Sequence, residues 1–534
     1  MRDKPPSQTS YEAFLPEYKS HFSFIPITVP EVKKVIAGLK NKKCDVHTIP
    51  NHILKLAADK IATPLKHLFN ESFLTGVFPN IFKTAKVIPI PKKGDLSLAK
   101  NYRPIAITNT ISKIFEKLVF NQLTEYFISN NILSDSQFGF RKGRSTADAL
   151  ICLTEKLYRN IENKDSSLLL LLDFTKAFDM IDHDILLSKM NKMGFEGTNL
   201  QWFKSYLKER SQYVKLNETN STTLQTSIGV PQGSILGPFL FTLYTNDLIK
   251  SHDAFSVSFA DDTSILINDK DAESLSRKAT DTLTKIMKWI DANKLSLNLN
   301  KTSYIIFSNK PINDLKIKIN NIELNRAANA KILGLTIDDK LTFKEHINNL
   351  VSRLSRYLYM LIKLRNFVPL YILRKLYYSL IHPHLLYCLP IYGTTSNSVI
   401  HPVIVTQKRF IRLISNTRDF YRYTQPLFKN LKILQFKDLL NISLLKEIHK
   451  IIHNNACDFL LANFHSNQAR RVANQINLRN NTYINPPFCR LKKATQSVSY
   501  KAAKLYNSMP QDIKTENSTK SFTKKLKTYY LNKY

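Results

Sequence analysis

Glycine is scarce, with 12 among 534 residues. That excludes collagen-like and glycine-linker architectures. No segment recurs at a fixed period, which excludes solenoids and propellers. The five cysteines, Cys44, Cys152, Cys388, Cys457 and Cys489, are widely spaced and form no CxxC pair. A disulfide framework is therefore not expected, and reduced thiols are the simplest reading. No apolar run reaches the roughly 20 residues of a membrane span. The opening residues MRDKPPSQTS lack the charged-then-apolar pattern of a secretory signal. The expectation is an intracellular protein of the nucleus or cytoplasm, without a membrane partner. Acidic residues are also in short supply: 42 Asp and Glu face 77 Lys and Arg, for a net charge of +35. Such an excess suits a polyanionic partner, because neutralising phosphates releases condensed counterions. Nucleic-acid enzymes, passive nucleic-acid binders and membrane-surface proteins share this trait. The few acidic clusters gain interest by contrast.

Apolar residues make up 43% and aromatics 11%, enough to build several packed cores. Residues 1–29 are Pro-rich and read as a linker or truncated junction. Helical periodicity governs 30–85, with Val32, Val35, Ile36 and Leu39 on one face. VIPIPKKGD (87–95) reads as a short strand ending in a basic turn. NYRPIAIT reads as another, with Pro104 suggesting a sheet edge. Helical patterns span 112–130 and 146–163. Leu168 to Leu172 are five consecutive leucines, as in a strand buried on both faces. Residues 255–267 alternate apolar and polar around Ala260-Asp261-Asp262, a hairpin with acids at its tip. A long helix to about Asn293 follows, then SYIIFSN and KILGLTID, which read as two further strands. From about Phe343 onward the pattern is helical and basic. An α+β domain flanked by helical modules is the economical architecture.

Asp173 and the Asp261-Asp262 pair each end an apolar strand. A charge there is costly unless it is paired or binds a metal. Three carboxylates in a basic protein suit hard divalent cations, which prefer oxygen ligands. Neighbouring strand residues point to opposite faces, so both Asp261 and Asp262 can contribute only from a tight turn.

These residues carry a resemblance. FADD at 259–262 resembles the [YF]xDD signature of reverse transcriptases. DFTKAFD at 173–179 resembles their first catalytic motif, and GVPQGSILGPFLF at 229–241 the nucleotide-contacting motif between the two. SQFGFRKGRST (136–146) and KKGD…NYRPI (92–105) are similar to the fingers of non-LTR retrotransposon polymerases. IHPHLLYCLPIYG (381–393) and YNSMPQDI (506–513) resemble the tail of the jockey/CR1-like LINE type. The resemblance runs from about residue 30 to the end, with motifs in the family's order.

It implies an α+β right-hand polymerase: a helical N-terminal extension at 30–85, fingers and palm at 86–342, a thumb-like helical region at 343–415, and a basic helical region at 416–534. It implies an RNA-directed DNA polymerase acting by target-primed reverse transcription. The partners would be an RNA template, a DNA primer or target, and dNTPs. The cofactor would be Mg²⁺, or Mn²⁺ in its place. Asp173 and Asp261 would hold two metals with Asp262 as a looser ligand, and the carbonyl of Phe174 would complete one shell. Phe178 would be the gate that excludes ribonucleotides. Lys92 and Arg103 would grip the triphosphate, as a point charge and a planar fork. Gln232 and Gly233 would line the nucleotide pocket. Lys301 would protonate the departing pyrophosphate. Arg141, Lys142 and Arg144 would touch backbone phosphates, and Gly334, within KILGLTID, would belong to a primer grip.

The chain departs from the family at 42–48, KKCDVHT, where relatives carry a Gly/Pro-rich stretch; an altered helical contact is the expectation. No endonuclease-like segment precedes residue 30, and no RNase H constellation follows the thumb. The expectation is a fragment, a domesticated copy or a separate reading frame. His449, His453 and Cys457, spaced by four, would share a helix face; a semi-buried face is favoured over a zinc site. The principal alternative is a catalytically silent nucleic-acid-binding remnant. A maturase-like or telomerase-like polymerase is the weaker one.

Overall fold

A computed structural model describes residues 9–16, 18–40, 49–92, 94–312, 315–319, 322–417, 423–453, 456–462 and 483–534. The departure at 42–48 lies outside the described residues. The content is mixed, 53% helical and 15% strand. The chain divides into two compact units: Met1–Phe140 with Leu172–Thr263 and Asp281–Lys301, and Arg141–Leu171 with Ser264–Thr280 and Thr302–Tyr534. No described helix is long and apolar enough to cross a membrane.

The first unit is built on aromatic packing. Phe24 stacks on Phe73 at 3.9 Å and Phe69 on Phe115 at 4.3 Å, while Trp202 meets Phe78 and Phe115 edge-on. These side chains join helices Ala58–Thr75, Thr110–Ser129 and Gly197–Leu207 around one core, and helix Val29–Ala37 packs on the first two. Thr84–Pro91 and Tyr102–Ile107 form the expected antiparallel pair, with the Pro104 strand at the sheet edge. Thr84–Pro91 pairs in parallel on its other side with Arg210–Leu216. The apolar helix Leu236–Thr245 is buried along nearly its whole length. Its start is capped from afar: the fully buried Glu116 accepts from the N–H groups of Ile235 at 2.7 Å and Leu236 at 3.2 Å. Just past its end, the Lys189 ammonium bonds both Asp247 carboxylate oxygens at 2.7 and 2.9 Å and the Tyr244 carbonyl. That partnership is what permits a lysine with no solvent exposure.

In the second unit the strand Ser303–Phe307 lies between Asn325–Arg326, paired in parallel, and Ser166–Leu172, paired antiparallel with Leu169 opposite Ile305. Of the strand Asp262–Asp269, the part from Ser264 onward belongs to this unit and follows on the far side of Ser166–Leu172. The leucine run is buried on both faces, as its composition requires. Helix Thr146–Glu162 receives the C-terminal helices Phe436–Ile452 and Val498–Asn507. Glu155 accepts from the Ser499 N–H at 2.8 Å, and Lys450 bridges Asp148 and Glu447 at 3.1 Å each.

Two expectations are corrected. KILGLTID is not one strand. Asn329–Ile332 and Leu335–Asp338 pair antiparallel around Leu333 and Gly334, both at positive φ, 45° and 89°. Two adjacent residues in that region make a two-residue hairpin turn. His449, His453 and Cys457 do not share a helix face. The helix ends at Ile452, and Cys457 caps the next one. Both His449 ring nitrogens are engaged, with the Glu516 carbonyl and the Thr519 hydroxyl, and the Cys457 sulfur faces that of Cys152 at 2.7 Å.

Candidate active site

Asp173 is the first residue past the leucine strand, where the chain leaves the sheet half-buried. Its backbone is clamped by a second segment. Asn298 donates its N–H to the Asp173 carbonyl and Thr175 donates to Ser296, each at 2.8 Å. These bonds bracket Phe174 opposite Leu297, so Phe174's own carbonyl is not used toward that segment. The same clamp delivers Lys301. Its N–H closes a turn onto Asn298, and its ammonium stands 3.7 Å from the Asp173 carboxylate.

Asp261 and Asp262 stand at the hairpin tip. The strand Phe255–Phe259 ends, Ala260 and Asp261 make the turn with Ala260 at φ +59°, and the next strand begins at Asp262. A tight turn is thus what frees two consecutive acids from strand alternation. The turn is buttressed by SQFGF. Phe138 donates to the Ser258 carbonyl and Ser258 to that of Ser136, each at 2.8 Å. Gly139 then lies against Ala260 so closely that a Cβ would sit 2.3 Å from its nitrogen.

The three acids feel one another. The Asp262 carboxyl is held above the ordinary aspartate range, first by partial desolvation and then by the charges of Asp261 and Asp173. Among the described residues no three acidic, His or Cys side chains already close around an ion position. The donor set nevertheless fits a hard divalent cation: oxygen-only groups whose mutual repulsion a cation would relieve.

Phe178 lies half-buried against Phe241, centroids 4.6 Å apart, with Phe140 edge-on at 6.4 Å. Its carbonyl accepts from the Val230 N–H at 2.9 Å, tying the DFTKAFD segment to GVPQG. Gln232 is held twice: its carbonyl accepts from the Ala106 N–H at 2.7 Å, and its amide donates to Asp179 at 2.8 Å. Gly233, at φ +134°, passes so close to the Ala106 carbonyl that a Cβ would lie 2.2 Å from that oxygen. Lys92 and Arg103 are exposed at the loop end of the edge hairpin, where Arg103 pairs with Ile90 and the Lys92 N–H bonds the Asn101 carbonyl at 2.7 Å.

All of these residues lie in the first unit. Arg141, Lys142, Arg144 and Gly334 lie in the second. There the Gly334 turn is held by the Tyr387 hydroxyl on the Leu333 carbonyl, and the Tyr387 ring is 3.1 Å from where a Gly334 Cβ would be. Reading from sequence alone missed two supports. Gly139 buttresses the acid turn, and its signal is a glycine between two phenylalanines. Asp179 holds Gln232 and, apart from its place in the motif, gives no local signal.

A protein-family model described as "Reverse transcriptase (RNA-dependent DNA polymerase)" matches residues 90–337. Among curated proteins of Drosophila melanogaster, the "Probable RNA-directed DNA polymerase from transposon BS" is 29% identical over 414 residues, 75% of this chain and 46% of that protein. The "RNA-directed DNA polymerase from mobile element jockey" is 28% identical over 448 residues, 80% of this chain and 48% of that protein. The "Probable RNA-directed DNA polymerase from transposon X-element" is 28% identical, with 78% and 47% covered. The chain spans about half the length of these curated relatives.

Proposed function

We propose, on the premise that residues 90–337 belong to the reverse transcriptase family, that this chain is the RNA-directed DNA polymerase of a jockey-like non-LTR retrotransposon. It would extend a primer 3′-hydroxyl, supplied by the DNA target, along an RNA template with dNTPs. The relatives' names support the reaction class. The observation that carries the reading is the convergence of charge: a turn frees Asp261 and Asp262, the charges of Asp261 and Asp173 both act on Asp262, and Lys301 stands 3.7 Å from Asp173.

The roles follow from chemistry. Asp173, Asp261 and Asp262, with the Phe174 carbonyl, would hold Mg²⁺ or Mn²⁺. When bound, such ions lower the pKa of an attacking hydroxyl and neutralise a departing pyrophosphate. Lys301, 3.7 Å from Asp173, would give a proton to the leaving group. Lys92 and Arg103 would fix the triphosphate from the exposed hairpin end. Phe178, braced by Phe241, would press on the sugar's 2′ position and exclude ribonucleotides. Gln232 and Gly233 would line the pocket where the backbone can approach closely. Arg141, Lys142 and Arg144 would contact phosphates, and the Gly334 turn would support the primer. On this reading 86–342 are fingers and palm, 343–415 the thumb, and 416–534 a basic tail.

The test is primer extension on an RNA template with Mg²⁺ and dNTPs. Asp261→Asn with Asp262→Asn should lower extension on the order of a hundredfold or more, the several kcal/mol of a lost metal site. Undiminished extension by the double variant would refute the assignment. Tight, salt-sensitive nucleic-acid binding with no extension by the unaltered chain would favour a silent binder instead.

A further inference from the structure

Asp179 directly follows the aromatic Phe178, yet it has no chemical task among the polymerase roles of its neighbours. Its carboxylate accepts from the Gln232 side-chain nitrogen at 2.8 Å, across 53 residues of sequence. The two backbones are interlocked around this bond. Asp179 donates to the Lys176 carbonyl at 2.9 Å, Gly229 to Ile181 at 2.8 Å and Val230 to Phe178 at 2.9 Å. A Cβ on Gly229 would lie 2.8 Å from the Asp179 Cα, so only glycine allows this approach. Neither partner can drift from the other without breaking that lattice.

A primary amide has two unlike ends, a donating NH₂ and an accepting carbonyl, and a half-turn about its last bond exchanges them. A carboxylate can only accept. With Asp179 at 2.8 Å, Gln232 must give it the NH₂ end, which turns the carbonyl oxygen the other way. We propose that Asp179 is a positioning residue: it locks the Gln232 amide so that the nucleotide pocket meets an acceptor. The pocket would then select a hydrogen-bond donor, a hydroxyl or an amino group, on the incoming nucleotide. This rests on the polymerase reading, in which Gln232 lines that pocket.

The experiment is a double-variant cycle in primer extension, with dNTP titrated. Asp179→Asn keeps shape and packing but offers either a donor or an acceptor, so the lock is lost. Gln232→Met keeps length but removes the amide. Asp179→Asn should raise the dNTP KM about twofold, because an unlocked amide presents its acceptor end only about half the time. It should leave template–primer affinity and the melting temperature in place. In the Gln232→Met background the same substitution should change KM no further. Asp179→Asn with an unchanged KM, or with the same KM rise in both backgrounds, would overturn the inference while leaving the polymerase reading intact. A purely structural Asp179 would instead lower melting temperature and kcat in both backgrounds. No extension by the unaltered chain would count against the polymerase reading itself and remove this inference with it.

Discussion

Asp262 is solvent-exposed, yet its carboxyl is held above the ordinary aspartate range by desolvation and by two neighbouring charges. A raised folded-state pKa means that the folded protein binds that proton more tightly than the unfolded chain. The stability so gained is complete below the unfolded aspartate pKa and is lost as pH rises through the raised one. Once ionised above that raised pKa, Asp262 is a standing repulsion toward Asp261 and Asp173. Asp262→Asn, which cannot ionise, should raise the melting temperature of the metal-free protein at pH 7, on the order of 1 °C, because solvent screens much of the effect. It should leave the value near pH 3 unchanged. Mg²⁺ should raise the melting temperature of the unaltered chain more than that of the variant. A pH 7 melting temperature that falls, or an equal response to Mg²⁺, would show that Asp262 carries no net repulsion. At this scale the placement of the acids was legible in the sequence, because Asp173 follows an apolar strand and the Asp261-Asp262 pair sits between two alternating apolar runs. The Gln232–Asp179 bond was not, since a contact across 53 residues leaves no mark in local spacing.

Elements with a regular apolar period were readable, whereas a turn or helix end hidden inside such a period was not. The helix at Thr146–Glu162, the buried leucine strand and the acid-tipped hairpin all stand where apolar spacing puts them. KILGLTID reads as a strand because its apolar residues alternate, but positive φ at Leu333 and Gly334 folds it back on itself. His449, His453 and Cys457 keep helical spacing in sequence, yet the helix stops at Ile452. The parallel pairing of Thr84–Pro91 with Arg210–Leu216 joins segments more than a hundred residues apart, beyond any local signal. One non-local support is directly testable. Gly139 presses on the turn that carries Asp261, and a Cβ there would sit 2.3 Å from the Ala260 nitrogen and 3.0 Å from the Phe259 carbonyl carbon. Both are backbone atoms, which cannot swing aside. Gly139→Ala should therefore shift the turn and cut primer extension by about a hundredfold, as misplacement of about 1 Å can do, with a melting-temperature loss of a few degrees at most. At Gly143 a Cβ would meet no atom within 4 Å, although φ is +81°. Gly143→Asn, a residue that tolerates that region, is therefore the matched control. Equal activity of the Gly139 variant and the control would mean that the acid turn holds its place without the glycine.

Over the whole chain the charge is uneven. Between residues 346 and 437 there are 14 Lys and Arg and one acid, Asp419. Part of this excess lies on helices Lys344–Leu364 and Leu370–Leu376, where exposed Lys363 and Lys375 each stand over a tyrosine ring, Tyr359 at 5.5 Å and Tyr371 at 5.3 Å. Tyr359 is 64% exposed and Tyr371 61%, so neither ring is spent on a core. Cations beside open aromatic rings suit a sugar–phosphate backbone with bases near it. If template–primer binding is mainly neutralisation of phosphates, log Kd should rise linearly with log salt. A footprint of six to ten phosphates would cost about 10³–10⁵ in affinity between roughly 50 and 200 mM salt. Lys363→Gln with Lys375→Gln removes two cations without adding repulsion. If both touch phosphate, the slope should fall by about 1.8, at about 0.9 per contact on duplex, with equal weakening on unrelated sequences. An unchanged slope would move the phosphate contacts off these helices, and weakening confined to one template sequence would mean that the lysines read bases rather than backbone.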